Sequence, residues 1–243
     1  MSFRLPQIEE KSQYVLEQFE RIASGYDSTN DVISFGMHRL WKKEAVDALN
    51  VKAGGKYLDV CCGTGDLALK IAKQAGQEGE VVGLDFSASM LTIAQQRSLN
   101  LSRTDCAKVN WIKGDAQNMP FTDDTFDGAI VAFGLRNLSN LQTGVNEMSR
   151  VVKPGGKIIN LDLGHPTAPI FTPLYFFFFQ QIVPLLGKIL QNDAKAYTYL
   201  PVSLSTYPKP EGISVIFEKA GLKNIKYKSL AMGSIVLHEG RVG

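Results

Sequence analysis

With 243 residues, 44% of them apolar and 21% charged, the chain has the composition of one large globular domain, not of a disordered or fibrous protein. Its 26 basic and 24 acidic residues leave a net charge of +2, too small a surplus to argue for a nucleic-acid partner. Three cysteines, with Cys61 and Cys62 adjacent, make neither a disulfide framework nor a zinc set, so a reducing cytoplasm is the expected compartment.

The leading run Met1–Pro6 has no apolar core of signal-peptide length, and export is not expected. Residues 7–23 place Ile8, Val15, Leu16, Phe19 and Ile22 on one helical face. The stretch Gly25-Tyr26-Asp27-Ser28-Thr29-Asn30-Asp31 is rich in turn formers and is expected to break that helix. A second helix follows Ser34-Phe35-Gly36-Met37-His38-Arg39 and runs through Trp41 to about Leu49. These first fifty residues can either cover a ligand or pack as a helical pair behind a sheet.

The next stretch organises the rest. Tyr57-Leu58-Asp59-Val60 reads as a strand that enters a glycine turn, Gly63-Thr64-Gly65, and Leu67–Ala72 then follows with helical spacing. Such a turn brings backbone amides up to a ligand at a helix N-terminus. Twenty residues past Gly65, the strand Val81–Asp85 ends in a carboxylate, the spacing at which an acid meets the ribose hydroxyls of an adenosine cofactor. The pattern Gly63-x-Gly65-x-x-Ala68 also fits a dinucleotide fingerprint. Asp59 and Asp66 flank the glycines, however, and two carboxylates repel a pyrophosphate while suiting the ammonium and sulfonium of S-adenosylmethionine. The plainer role for Asp66 is to complement the helix dipole. Cys61 and Cys62 read as small residues where strand meets turn.

Further along, Ser87 can cap a helix carrying Met90, Leu91, Ile93 and Ala94. Val109–Lys113 reads as a third strand, closed by Gly114-Asp115-Ala116, which places Asp115 on the ligand-binding edge of an open α/β sheet. There it can accept from an adenine amino group or cap the next turn. The strand Phe126–Ala132, a helix near Leu141–Val151, the turn Lys153-Pro154-Gly155-Gly156 and the strand Lys157–Leu163 follow. After residue 210 come a helix near Ile213–Ala220 and strands at Ile225–Ser229 and Ile235–His238. The alternation argues for a mainly parallel sheet covered on both faces. Residues 164–210 interrupt it with Phe171 and Leu174-Tyr175-Phe176-Phe177-Phe178-Phe179. Pro173, Pro184, Gln180-Gln181, Gly187 and Lys188 argue against a membrane span. A buried helix, a dimer interface or an apolar wall beside the substrate are the expected uses. The chain thus divides into a cover (1–50), a cofactor core (51–163), an apolar helical insertion (164–210) and a closing helix with strands (211–243).

Several of these runs resemble the class I S-adenosylmethionine-dependent methyltransferases: Tyr57 to Asp66, Asp85, Gly114-Asp115-Ala116 with Pro120-Phe121, and Val151–Gly156. A narrower set is similar to the ubiquinone/menaquinone biosynthesis C-methyltransferases and covers nearly the whole chain. It comprises Tyr26-Asp27 with Asn30-Asp31, Ser34-Phe35-Gly36 with His38-Arg39 and Trp41-Lys42, Phe133-Gly134-Leu135-Arg136-Asn137, Pro184–Lys188, Tyr197-x-Tyr199-Leu200 and Leu237-His238-x-Gly240. The resemblance implies a Rossmann-like, seven-stranded sheet with its last strand antiparallel, and an S-adenosylmethionine site at Gly63, Thr64, Gly65, Asp85, Phe86, Asp115, Ala116 and Ala132. It implies C-methylation of a prenylated quinol, and the double cysteine is closer to members that turn demethylmenaquinol into menaquinol. Methylation of 2-methoxy-6-polyprenyl-benzoquinol stays open, as do, further off, an NAD-dependent reductase and a non-catalytic cofactor-binding subunit. Thr29 and Leu161-Asp162-Leu163-Gly164-His165-Pro166 depart from the family pattern on the substrate side.

A phenol attacks weakly through carbon and its phenolate strongly. Arg136 is therefore expected to stabilise an ionised oxygen, with Asn137 orienting the ring or a water. His165 is the expected base, with Asp162 and Asp27 as alternatives, while His38 and His238 read as structural. No metal is expected. Peripheral contact with the inner face of the cell membrane and a homodimer are compatible with the apolar insertion.

Overall fold

The computed structural model describes residues 8–101, 105–191 and 194–243. The leading run read above for an export signal lies outside the described residues. Seven strands form one sheet in the order β3-β2-β1-β4-β5-β7-β6. They are β1 (Lys56–Val60), β2 (Glu80–Asp85), β3 (Lys108–Lys113), β4 (Phe126–Ala132), β5 (Val152–Leu163), β6 (Leu222–Leu230) and β7 (Ile235–Val242). The first five run parallel, and β7 is antiparallel to both β5 and β6. The helices are α1 (Ile8–Ile22), α2 (Tyr26–Ile33), α3 (His38–Leu49), α4 (Asp66–Ala75), α5 (Ala88–Ser98), α6 (Leu141–Val151), α7 (Phe171–Phe177), α8 (Val183–Gln191), α9 (Ala194–Thr206) and α10 (Pro210–Lys219).

Successive strand residues point to opposite faces, so each strand feeds two cores. Tyr57, Ile130 and Ile159 join Val46 of α3 and Ile71 of α4 on one face. Leu58, Val131 and Ile158 join Met148 of α6 and Phe217 of α10 on the other. The helix starts follow local chemistry: the Ser87 hydroxyl accepts from the Met90 amide at 3.2 Å, and Asn140 caps α6 in the same way.

Two local expectations are corrected. Gly25–Asp31 does not break into loop. After one 3₁₀ turn, Tyr26–Ile33 is helical, because Ser28 and Thr29 turn their hydroxyls back onto the Gly25 carbonyl, at 2.9 Å each. Lys153–Gly156 is not a separate turn but lies within β5, with Gly155 at φ +79° and a shift of register against β4. The first fifty residues also divide their work: α3 packs on the sheet, while α1 and α2 lie over its carboxyl edge.

In the insertion, Phe171–Gln191 is one helix of 21 residues, with a π-helical turn at Phe178–Ile182, and is long and apolar enough to cross a bilayer. Tyr175, Phe179, Val183 and Gly187 recur every fourth residue and are buried. Ile170, just before it, and Leu174, Phe177, Leu185 and Ile189 on it are exposed. One face is thus packed on the protein and the other is bare.

The glycine turn shows which residues are dictated by space. Gly65 has φ +80°, and a Cβ there would overlap the Trp111 ring, whereas Gly63 has φ +54° with nothing within 4 Å of that position. Gly65→Ala should lower stability by about 1–3 kcal/mol and Gly63→Ala by about 1 kcal/mol. Urea unfolding checks the order, and equal losses would contradict it.

Candidate functional site

Where β1 ends, the chain must leave the sheet and start α4 within five residues. Cys61 takes a left-handed φ of +54° and Phe133, at the corresponding end of β4, one of +58°. Left-handed non-glycine residues cost about 1–2 kcal/mol each and persist where surrounding structure imposes them. The turn is pinned from the neighbouring strand: the Gly63 amide donates to Asp85 Oδ2 at 2.8 Å and the Ser87 amide to Asp85 Oδ1 at 2.9 Å. Asp85 is buried, and desolvation pushes its carboxyl up to about 6, even though these amide bonds favour the ionised form.

A cavity opens against this edge. Of the residues expected at a cofactor, Gly63, Asp85, Phe86, Asp115, Ala116 and Ala132 line it together. Phe19 of α1 and Tyr26 of α2 roof it, and Leu84 and Met90 add apolar wall. Its described lining carries two carboxylates, Asp85 and Asp115, and no lysine or arginine. Asp115 uses Oδ1 to accept from the Gln117 amide at 2.9 Å. With an open approach to Gly63, acidic acceptors and apolar walls, this donor set fits a cationic adenosine compound.

Thr64 and Gly65 follow Gly63 in the same turn but are not among the residues lining the cavity. The Thr64 hydroxyl donates to Asp27 at 2.8 Å and accepts from Arg97, while Gly65 serves the turn. Nor do Asp59 and Asp66 confront a ligand. Asp66 meets Lys70 at 2.7 Å, Lys42 at 3.1 Å and Arg97 at 3.3 Å, and these cations outweigh burial and hold its carboxyl well below the usual range. Asp59 accepts from the Ala68 amide at 2.9 Å, and burial pushes it up to about 8. The acids that line the cavity are therefore Asp85 and Asp115. Cys61 and Cys62 are free, and burial pushes both thiols up, which suits packing and not reactivity.

A second cavity adjoins the first and shares Phe19, Tyr26, Phe133 and Asn137 with it. Its walls are mostly apolar or aromatic, including Ile22, Ile33, Trp41, Phe179 and Leu200. Arg136 lines it, buried, with Nη1 donating to Asp162 Oδ1 at 2.7 Å and to the Phe133 carbonyl. Burial opposes the guanidinium charge, but Asp162 outweighs it and raises the pKa. Arg136 Nε, Asn137 Oδ1, His38 Nδ1, Tyr175 Oη and Tyr199 Oη are all buried without a hydrogen-bond partner, and all five residues line this cavity. His165 lines neither cavity: it sits half-buried after β5, and burial lowers its pKa. His238 meets the Pro210 carbonyl at 3.0 Å, a structural contact. Sequence spacing missed Phe19 and His38 as wall residues, because α1 and α3 deliver them from outside the βαβ unit that the spacing reads.

Comparison with known proteins agrees with this geometry. Residues 7–241 match the model of the ubiE/COQ5 methyltransferase family. A demethylmenaquinone methyltransferase of Desulfitobacterium hafniense is 43% identical over 96% of this chain and 91% of its own. One of Bacillus subtilis is 41% identical over 95% and 97%. A SAM-dependent methyltransferase structure from Thermotoga maritima superposes with a TM-score of 0.65 at 20% identity, over 94% of this chain and 99% of its own, which shows the shared fold.

Hydroxyl donors favour the ionised form of Asp85, whose carboxyl lies near 6 in the free protein. Affinity for S-adenosylhomocysteine should therefore rise as pH goes from 5 to 7, by up to about tenfold. Asp85→Asn should weaken binding by about 10–100-fold, as a lost charged hydrogen bond, and flatten that dependence. Calorimetric titration checks both, and unchanged affinity in the variant would remove Asp85 from the site.

Proposed function

This chain belongs to the ubiE/COQ5 methyltransferase family, and from that premise we propose that it C-methylates a prenylated naphthoquinol, converting demethylmenaquinol to menaquinol. It is an S-adenosylmethionine-dependent methyltransferase. The relatives carry the menaquinone name, so the benzoquinol and reductase alternatives are not favoured. The observation that carries the reading is the pair of cavities with a common wall: one is acidic and fits the methyl donor, the other is apolar and fits a ring and its tail.

When bound, S-adenosylmethionine supplies an electrophilic methyl group. Asp85 would accept from its ribose hydroxyls, and Asp115 with the Ala116 backbone would meet its adenine. Phe19, Tyr26 and Phe133 line both cavities, and their rings limit water at the junction, which strengthens electrostatic contacts inside. Arg136 offers the quinol oxygen its unpartnered Nε–H and a permanent positive charge, and Asn137 offers Oδ1 to the second hydroxyl or to the ring edge. The prenyl tail leaves along the insertion. Phe35 and Ile170, 82% and 81% exposed, belong to the bare apolar edge that we take to rest on the inner face of a membrane.

Incubation with labelled S-adenosylmethionine and the reduced demethylated naphthoquinol, beside the benzoquinol, tests the substrate. Label in the naphthoquinol product is expected, and label only in the benzoquinol would overturn the assignment. Arg136→Lys keeps a countercharge for Asp162 and avoids a buried lone carboxylate. It should leave S-adenosylhomocysteine affinity within threefold while kcat falls at least tenfold. Collapse of cofactor affinity with normal turnover of bound cofactor would contradict the role given to Arg136.

A further inference from the structure

Methylation at carbon needs a proton acceptor at the quinol hydroxyl, and Arg136 is not one, because a guanidinium stays charged. No carboxylate lines the apolar cavity among the described residues. Asp162 is engaged by Arg136 and the Leu163 amide, and Asp27 by Thr64 and Arg97. The Lys42 ammonium pairs with Asp66 at 3.1 Å. Burial raises Tyr175 and Tyr199, the latter to about 12, so both stay protonated.

His38 remains. It is the first residue of α3, lines the cavity and is 8% exposed. Its Nε2 lies 2.8 Å from Asp31 Oδ1. A carboxylate only accepts, so Nε2 carries the hydrogen and the neutral ring keeps its lone pair at Nδ1. That atom is buried with no hydrogen-bond partner. Asp31 is itself fixed by Arg39, through Nε at 2.8 Å and Nη2 at 2.5 Å. Arg39 and then His38 hold its carboxyl down at about 2, so it stays ionised. A carboxylate therefore orients an imidazole by one nitrogen and leaves the other without a protein partner, at a residue that lines the cavity, the arrangement of a general base and its orienting partner.

We propose that His38 is the general base of this reaction, its Nδ1 taking the hydroxyl proton of the quinol, and that Asp31 is its positioning residue. The proposal rests on the quinol-methylation reading above. The O–H bond breaks, its hydrogen becomes Nδ1–H, and its electron pair stays on oxygen and enters the ring. The neighbouring ring carbon bonds the methyl carbon, and the old carbon–sulfur pair leaves with sulfur. The hydrogen on that ring carbon then departs to water as a proton, its bonding pair restores aromaticity, and oxygen recovers the proton from Nδ1. One positive charge on sulfur is replaced by one proton in solution, and no oxidant is needed. The charged and titratable groups around the imidazole are Asp31 of α2, Arg39 and Lys42 of α3 and Asp66 of α4, with Arg136, Tyr175 and Tyr199 on the cavity wall. Burial, aided by Lys42 and opposed by Asp31 and Asp66, lowers the His38 pKa and keeps it a free base at neutral pH.

The test compares wild type, His38→Gln and Asp31→Asn under anaerobic conditions with reduced demethylated naphthoquinol. His38→Gln should lose at least about 100-fold in kcat, the span of a general base, with KM for quinol and S-adenosylhomocysteine affinity within threefold. Asp31→Asn, whose amide can donate to Nε2 and so move the ring hydrogen to Nδ1, should lose at least tenfold. The one-proton rise of kcat with pH should vanish in His38→Gln, leaving only a climb with the quinol's own ionisation. Without turnover, the absorbance of quinol bound beside S-adenosylhomocysteine should show the ionised ring at least one pH unit lower in wild type than in His38→Gln. His38→Gln within threefold of wild type, with the same pH profile, would overturn the proposal. Should that variant lose its cofactor affinity and melt early, Asp31→Asn decides, and a wild-type rate there overturns it. A wild type that binds S-adenosylhomocysteine yet leaves the quinol untouched would remove the substrate reading and this proposal with it, whereas an active wild type beside an equally active His38→Gln removes His38 alone.

Discussion

One carboxylate ties two adjacent strand ends together. Asp85 closes β2 and accepts the amide of Gly63 with one oxygen and that of Ser87 with the other. The first bond fixes the loop between β1 and α4, and the second fixes the start of α5, so two crossovers share one anchor. That anchor is buried, and its raised pKa measures how little water remains to solvate it. A ligand that brings hydroxyl donors relieves this shortage, and the tension that shapes the turn thereby becomes affinity. The left-handed residues Cys61 and Phe133 lie on the same edge, at the ends of the neighbouring strands β1 and β4. Strain, burial and acidity thus coincide in one place, as expected where a parallel sheet opens to a ligand.

The parts legible in the sequence are those whose chemistry is local. Alternating apolar runs gave away the strands, and the glycines with Asp85 twenty residues on marked the cofactor edge, because spacing along one βαβ unit converts directly to space. Tyr26–Ile33 was illegible because its turn-forming residues bond backward onto Gly25, an outcome that propensity cannot distinguish from a loop. Asp66 was misread for a different reason. Its charge was visible, but Lys42 and Arg97, which cancel it, arrive from α3 and α5. His165 looked suitable by its ordinary pKa alone, and the chain carries it away from both cavities. The partner of His38 was illegible too, because Asp31, seven residues earlier, meets it only when α2 and the turn after it fold back.

The first fifty residues show how the cover is held. Lys11 of α1 donates to the carbonyls of Arg136 at 2.9 Å and Leu138 at 2.7 Å. At the other end of the same helix, Glu20 accepts from Ser87 and Ser89. These contacts join residues 67 to 127 positions apart in sequence. Between them lie Ser12 and Phe19, which face the cofactor cavity. The roof is therefore clamped at both ends to the segments that carry Asp85 and Arg136. Donor and acceptor sites are built from the same few strand ends and share one lid.

Energetics separates a substrate chamber from a packing fault. A buried polar atom without a partner costs about 1–3 kcal/mol, and folded proteins carry few of them. Five residues with such atoms line a single cavity here: one cation, one amide, one imidazole and two phenols. Scattered through the core they would only weaken the fold. Gathered on an apolar chamber that abuts an acidic one, they form a set of donors and acceptors without protein partners, which on the reading proposed above a substrate completes. A flat ring with an oxygen at each end and an apolar tail satisfies such a set, because its oxygens pair with the polar atoms while its carbon surface meets Trp41, Phe179 and Leu200. A fully polar ligand would leave those walls unsatisfied, and a pure hydrocarbon would leave the five polar groups stranded. The chamber is therefore specific through what each kind of wrong occupant fails to repair.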